Sequence, residues 1–151
     1  MQPDYLTGLL GIQVYRVTGV EQIGSRPGRS SVRIHLERTR DGYICGGCGQ
    51  AISKGYDHSW QELHHLMLWQ HWTVLHFPRY RVDCPTCGVR TEFLDFADVR
   101  GPRVTRPLAA VIHELCNVTT AKAAGILFGM EGRAVKAIDK TRLEHIQATR
   151  P

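Results

Sequence analysis

With 151 residues, of which 42% are hydrophobic and 22% charged, the chain has the composition of one large or two small globular domains, not of a disordered or collagen-like polymer. No apolar run approaches the roughly 20 residues of a membrane-spanning helix. Met1-Gln2-Pro3-Asp4 has neither the basic nor the apolar region of a secretory signal, so a cytoplasmic address and no membrane partner are expected. The net charge of +5 is unevenly held: residues 1–99 carry 10 Lys/Arg against 10 Asp/Glu, and residues 100–151 carry 9 against 4. A short segment holding the whole excess points to a polyanionic partner.

Asp4 is placed to cap a short helix over residues 5–10, which Gly8 and Gly11 curtail. Residues 12–20 alternate loosely and residues 31–37 clearly, with Val32, Ile34 and Leu36 on one face. The turn-forming cluster over 24–30 between them predicts a hairpin. Residues 56–83 carry strand signals on both sides of a turn near 68–71. Pro78 in the second arm predicts an edge strand or a bulge, because proline cannot donate to a ladder.

Two segments of the form Cys-x-x-Cys-Gly, Cys45-Gly46-Gly47-Cys48-Gly49 and Cys84-Pro85-Thr86-Cys87-Gly88, stand 35 residues apart. Two residues between cysteines let a tight turn aim both thiolates at one point, and the following glycine permits the left-handed turn that brings backbone N–H groups to the sulfurs. In a reducing compartment, Cys45, Cys48, Cys84 and Cys87 therefore predict a closed, structural site for one zinc ion. Iron is the alternative metal, and a redox dithiol would leave one pair unexplained. His35-Leu36-Glu37 ahead of Cys45 superficially resembles a zinc-deaminase pattern, but only seven residues intervene and Cys84 and Cys87 would be orphaned. His58, His64, His65, His71 and His76 read as strand histidines, with a second metal site as the alternative, and Cys116 reads as a small core residue.

After Arg100-Gly101-Pro102-Arg103 the composition turns to Ala, Leu and Ile at helical spacing, which places a domain boundary between 1–99 and 100–151. Thr105 caps a helix running to about Asn117, with Leu108, Val111, Ile112, Leu115 and Cys116 on one face. Thr119 or Thr120 caps a second helix over 121–128, which Gly129 ends. A third runs from about Glu131 to Ile146 with Ala134, Val135, Ile138 and Leu143 inward. Ala124 and Gly125 let the second and third helices cross closely. This arrangement predicts a helix-turn-helix whose third helix presents Arg133, Lys136, Ala137 and Lys140 to the major groove. Arg103, Arg106 and Lys122, at the starts of the first two helices, are placed to grip backbone phosphates.

These pieces, in this order, resemble the N-terminal DNA-binding region of bacterial insertion-sequence transposases of the L-three type. The matching stretches are Cys45-x-x-Cys48, Phe77-Pro78-Arg79-Tyr80-Arg81-Val82-Asp83-Cys84-Pro85-Thr86-Cys87-Gly88, Pro102-Arg103-Val104-Thr105, Thr119-Thr120-Ala121-Lys122-Ala123-Ala124 and Ala134-Val135-Lys136-Ala137-Ile138-Asp139. The resemblance implies a zinc ribbon followed by a helix-turn-helix, ahead of an acidic-triad catalytic domain. Asp83, Asp95, Asp98, Asp139 and Glu144 lie in no such context, so the expectation is a non-enzymatic fragment or stand-alone derivative. The expected fold is α+β: an N-terminal zinc-ribbon β module and a C-terminal three-helix domain. The expected function is sequence-specific binding of double-stranded DNA, at the ends of an insertion element. A stand-alone transcription regulator on palindromic DNA, which brings a homodimer with it, and a zinc-stabilised protein-interaction module are the alternatives.

Overall fold

Period-two alternation decides which face of each strand is buried. The structure, a computed structural model, describes residues 3–26 and 29–151. Helix α1 (Pro3–Leu10) leads through Gly11 into β1 (Tyr15–Arg26), which forms an antiparallel hairpin with β2 (Arg29–Arg38). The helix begins earlier than expected, with proline in its first turn, where its missing N–H is not needed. The expected cap at Asp4 concerns a side chain outside the described residues, as do Pro27 and Gly28 of the hairpin tip. The strands run further into the turn cluster than alternation indicated, as far as the pair Arg26–Arg29.

Two short strands, β3 (Tyr43–Ile44) and β4 (Ala51–Ile52), flank the first Cys-x-x-Cys. The long strands β5 (Asp57–Leu68) and β6 (His71–Cys84) turn at Trp69-Gln70, as the sequence predicts, and β7 (Gly88–Thr91) folds back on the end of β6. The sheet order is β1-β2-β6-β5, with β2 parallel to β6 and β7 also pairing with β6.

Strand β6 is therefore central, which corrects the edge position expected from Pro78. The proline is tolerated because no strand faces it on one side. Residues 72–76 pair with β2 and residues 81–84 with β7, and side chains serve the main chain between them. The Tyr15 hydroxyl donates to the Pro78 carbonyl at 2.7 Å, and the Tyr80 N–H donates to Glu92 Oε1 at 3.3 Å. A missing N–H is harmless where no ladder needs it.

The inner face of the sheet buries Val17, Ile34, Leu36, Leu63, Leu75 and Phe77 under Leu6 of α1 and the Leu94–Ala97 turn. Tyr15, Phe77 and Phe96 meet edge to face there, with ring centroids 5.4–6.0 Å apart.

Three helices follow: α2 (Arg106–Cys116), α3 (Ala121–Phe128) and α4 (Gly132–Thr149). Thr105 and Thr120 cap the first two, their hydroxyls accepting from the N–H groups of Leu108 at 3.4 Å and Ala123 at 3.1 Å. Gly129 ends α3 at φ +69°. Leu108, Ile112, Ala124, Val135 and Ile138 form a second core. A Cβ on Gly125 would lie 2.3 Å from the Met130 carbonyl oxygen, so only glycine lets α3 pack this closely on the turn that leads into α4. Ala134 and Leu143, expected inward, are exposed. The contact line runs through Val135 and Ile138 and continues at half-buried Arg142, because a helix turns about 100° per residue and the crossing fixes its phase.

The helices dock on the open edge of β5. The His64 N–H donates to the Arg103 carbonyl at 3.0 Å and the Thr105 N–H to the His64 carbonyl at 2.9 Å. Farther along, the Trp72 indole N–H donates to the Leu127 carbonyl at 2.9 Å, and its ring closes over Gly129.

Candidate metal centre and nucleic-acid face

Strand ends bring the four cysteines together. Cys45 follows β3 and forms an antiparallel bridge with Glu92, Cys84 ends β6, and Cys48 and Cys87 lie in the turns that follow. Their Sγ atoms lie within 4.8 Å of one another, the one such group of three or more ligands among the described residues, and Cys48 and Cys84 are 3.5 Å apart. Sulfurs arranged tetrahedrally at about 2.3 Å from zinc stand about 3.8 Å from each other, so the cluster fits an ion with little adjustment. Disulfide sulfurs would be about 2 Å apart.

Glycines make this convergence feasible. Gly49 and Gly88, each after its second cysteine, adopt φ +77° and +76°, the left-handed turn expected of them. A Cβ on Gly46 would lie 2.3 Å from the Thr91 carbonyl oxygen and one on Gly47 3.0 Å from Cys87 Sγ, so the two knuckles touch across small residues. The N–H groups of Cys48 and Gly47 pull the Cys45 thiol down to about 7. Hydrogen bonding to Cys48, together with burial, pushes Cys87 up to about 12. Without a cation one thiolate forms readily and the last strongly resists, which is the electrostatic demand a dication satisfies. Four thiolates close the coordination shell and leave no position for substrate, so the donor set suits a structural zinc.

The basic residues fall into two neighbourhoods. Arg133, Lys136, Ala137 and Lys140 form an exposed stripe on α4, opposite buried Val135 and Ile138. Arg133 meets Glu131 at 2.7 Å and Lys140 meets Glu144 at 4.0 Å, both as solvent-exposed pairs that contribute little. Lys122 lies at the start of α3, whose backbone packs against Gly132 at the start of α4. Arg103 and Arg106 belong instead to the loop against β5. Arg103 is exposed, whereas Arg106 is half-buried and donates to Asp98 at 2.7 Å.

Residues 42–91, which hold all four cysteines, match the zinc-finger of transposase IS204/IS1001/IS1096/IS1165. This segment is similar to an ISL3-type transposase zinc ribbon. The chain is also 32% identical over 141 residues to the transposase for insertion sequence element IS1001 of Bordetella parapertussis. That alignment takes in 93% of the chain, which spans about a third (33%) of the relative's length. No solved structure matches the chain.

The cysteine-bearing ribbon is fastened to the sheet by residues that sequence reasoning passed over. Glu92 follows β7 and is fully buried. Its carboxylate accepts from Arg38 Nη1 at 2.8 Å and, more weakly, from the Tyr15 hydroxyl at 3.3 Å. The Arg38 guanidinium stacks over Tyr43 of β3, 4.1 Å from the ring centroid. Arg38 thus ties the end of β2 to β3 and to the residue that follows β7. Its signal was present, since it continues the inward parity of Val32, Ile34 and Leu36.

The histidines disperse. His35 and His76 face each other at 3.1 Å on the outer sheet face, while His65 is buried against the Thr105 hydroxyl at 2.7 Å. His71 pairs with Ser30. No third ligand joins any of them closely enough to make a second metal group among the described residues.

Proposed function

We propose that the chain recognises duplex DNA through a helix-turn-helix formed by α3 and α4, as the end-binding part of an insertion-sequence transposase or a derivative of one. In this reading the helix-turn-helix module of residues 100–151 contacts duplex DNA through Lys122 and the α4 stripe, and residues 1–99 are the zinc-ribbon module on which it is seated. The observation that carries the reading is the α4 stripe. Three cations and one small residue project from the side opposite Val135 and Ile138, with only surface carboxylates beside them. The αL turn at Gly129 and the close packing of Gly125 on the turn into α4 support the tight helix–turn–helix connection that such a motif requires. Arg133, nearest the helix start, reads a base edge; Lys136 and Lys140 reach base edges or phosphates, and Lys122 grips the backbone. The reading gives no catalytic role to carboxylates; Asp98 and Asp139 are occupied by Arg106 and His113.

A selection of the zinc-loaded chain on random duplex DNA at two salt concentrations tests this. A preferred sequence and a steep loss of affinity with salt are expected. Arg133→Ala should cost roughly 1–3 kcal/mol on the preferred site and relax specificity at one position, while Lys122→Ala should weaken all sequences alike. Unchanged affinity in both variants refutes the assigned face.

A further inference from the structure

Below the point where Arg103 and Thr105 pair with His64, β5 and the loop over 98–103 part to leave a cleft of about 360 Å³. Arg79 lines it and is 3% exposed. Its Nη1 donates to the Asp98 carbonyl at 2.9 Å, and its Nη2 donates to the carbonyls of Ala97 at 3.3 Å and Glu92 at 3.4 Å. Its Nε is buried with no partner among the described residues. The carboxylates nearby are already engaged, Glu92 by Arg38, Asp98 by Arg106 and Glu62 by Arg33.

Two further cations, Arg100 and Arg103, line the same cleft, are exposed, and have no salt-bridge partner among the described residues. The strand adds donors. His64 gives its N–H and C=O to this edge, so the two-residue repeat directs the N–H groups of Glu62 and Trp60 the same way. The cleft therefore holds surplus positive charge and hydrogen-bond donors, which is the composition of an anion site. Trp60 lines it as well. Its ring stacks on His76 at 4.9 Å and 13°, yet the residue stays 61% exposed.

We infer that this cleft binds an unstacked nucleotide of single-stranded DNA, its phosphate among Arg100, Arg103 and the strand N–H groups and its base on the Trp60 indole. A paired base cannot offer its face to an indole, so an exposed ring beside a cationic cleft selects the unpaired strand. An acidic extended peptide would use the same edge and charges but gain nothing from the ring. The inference rests on the DNA-binding reading and adds to it a second contact, on the opposite class of strand from the one α4 reads.

Fluorescence anisotropy of the zinc-loaded full chain, with labelled dT12 and a 12-base-pair duplex, tests it. Trp60→Ala should weaken dT12 binding about five-fold or more, with Trp60→Phe restoring most of it. Arg100→Ala should weaken it too, with a shallower salt dependence. Duplex binding should hold in all three variants. Failure of the wild type to bind dT12, or equal affinity in Trp60→Ala and wild type, overturns the inference. Displacement of dT12 by an oligo-glutamate peptide that binds as well to Trp60→Ala overturns it in favour of a peptide site. Loss of duplex binding with dT12 binding intact would sink the α4 reading and leave the cleft standing.

Discussion

Replacing Glu92 by glutamine removes one charge from the place where ribbon and sheet meet. The side chains of Arg38 and Glu92 are 8% and 1% exposed, and their closest approach is 2.7 Å. Opposite charges about 4 Å apart attract by roughly 4 kcal/mol at an effective dielectric of 20, and dehydrating two ions takes back a comparable amount. The intact pair is thus close to neutral for stability, but the broken pair is not. The amide that replaces the carboxylate could still accept from the Tyr80 N–H, so the loss falls almost wholly on the charge. Arg38 would remain buried without a counter-ion, and buried Arg79, whose guanidinium is held only by carbonyls, would also lose the charge of Glu92 that acts on it. Breaking a buried pair from one side costs about 3–5 kcal/mol, a large share of the 5–15 kcal/mol typical of a domain.

Urea unfolding at pH 7 with zinc present, followed by tryptophan emission, would read this cost. Glu92→Gln should lose about 3 kcal/mol or more. The double variant Arg38→Met with Glu92→Gln should recover most of it, since no charge is then left buried alone and the amide still accepts from the Tyr80 N–H. A Glu92→Gln protein within about 1 kcal/mol of wild type would refute the reasoning. So would a double variant as unstable as the two single losses added together.

Two further outcomes are expected. Wild-type chain should carry one zinc per molecule by elemental analysis, and Cys84→Ser should release it and lower the melting temperature; a folded wild type whose melting is unmoved by EDTA would contradict the metal centre. Burial lowers the His65 pKa to about 4. The neutral ring is the native form, so its contribution is fully present above the unfolded value near 6.5 and is lost as pH falls toward 4. The slope is about 1.4 kcal/mol per pH unit and the total about 3 kcal/mol. Urea midpoints at pH 7, 6 and 5 should fall less steeply for His65→Gln than for wild type, and parallel curves would count against it.

What could be read from the sequence is chemistry that closes within a few residues. A Cys-x-x-Cys-Gly turn, a threonine hydroxyl capping the N–H three residues on and a glycine leaving a helix at positive φ each depend on local geometry, and Cys45 to Gly49, Thr105, Thr120 and Gly129 behave as their neighbours dictate. Helix phase was harder, because the α4 crossing, not the heptad-like spacing of apolar residues, decides that Arg142 and not Leu143 continues the contact line.

The residues that break their local pattern have a common cause. Arg38 ends an inward row of aliphatics, Pro78 and Arg79 interrupt the apolar β6 strand, and Glu92 follows β7 just ahead of Phe93 and Leu94. All four converge where β6 has no strand on one side, between the end of β2 and the end of β7. A sheet strand and a ribbon strand that share one flank of β6 must leave such a gap, and the main chain there needs side-chain partners. Tyr15 and Glu92 serve the carbonyl of Pro78 and the N–H of Tyr80, proline removes a donor that no strand could satisfy, and Arg38 neutralises the carboxylate so introduced. What looks in the sequence like four unrelated anomalies is one topological requirement, and a pairing between residues 54 positions apart is the reason no local pattern could announce it.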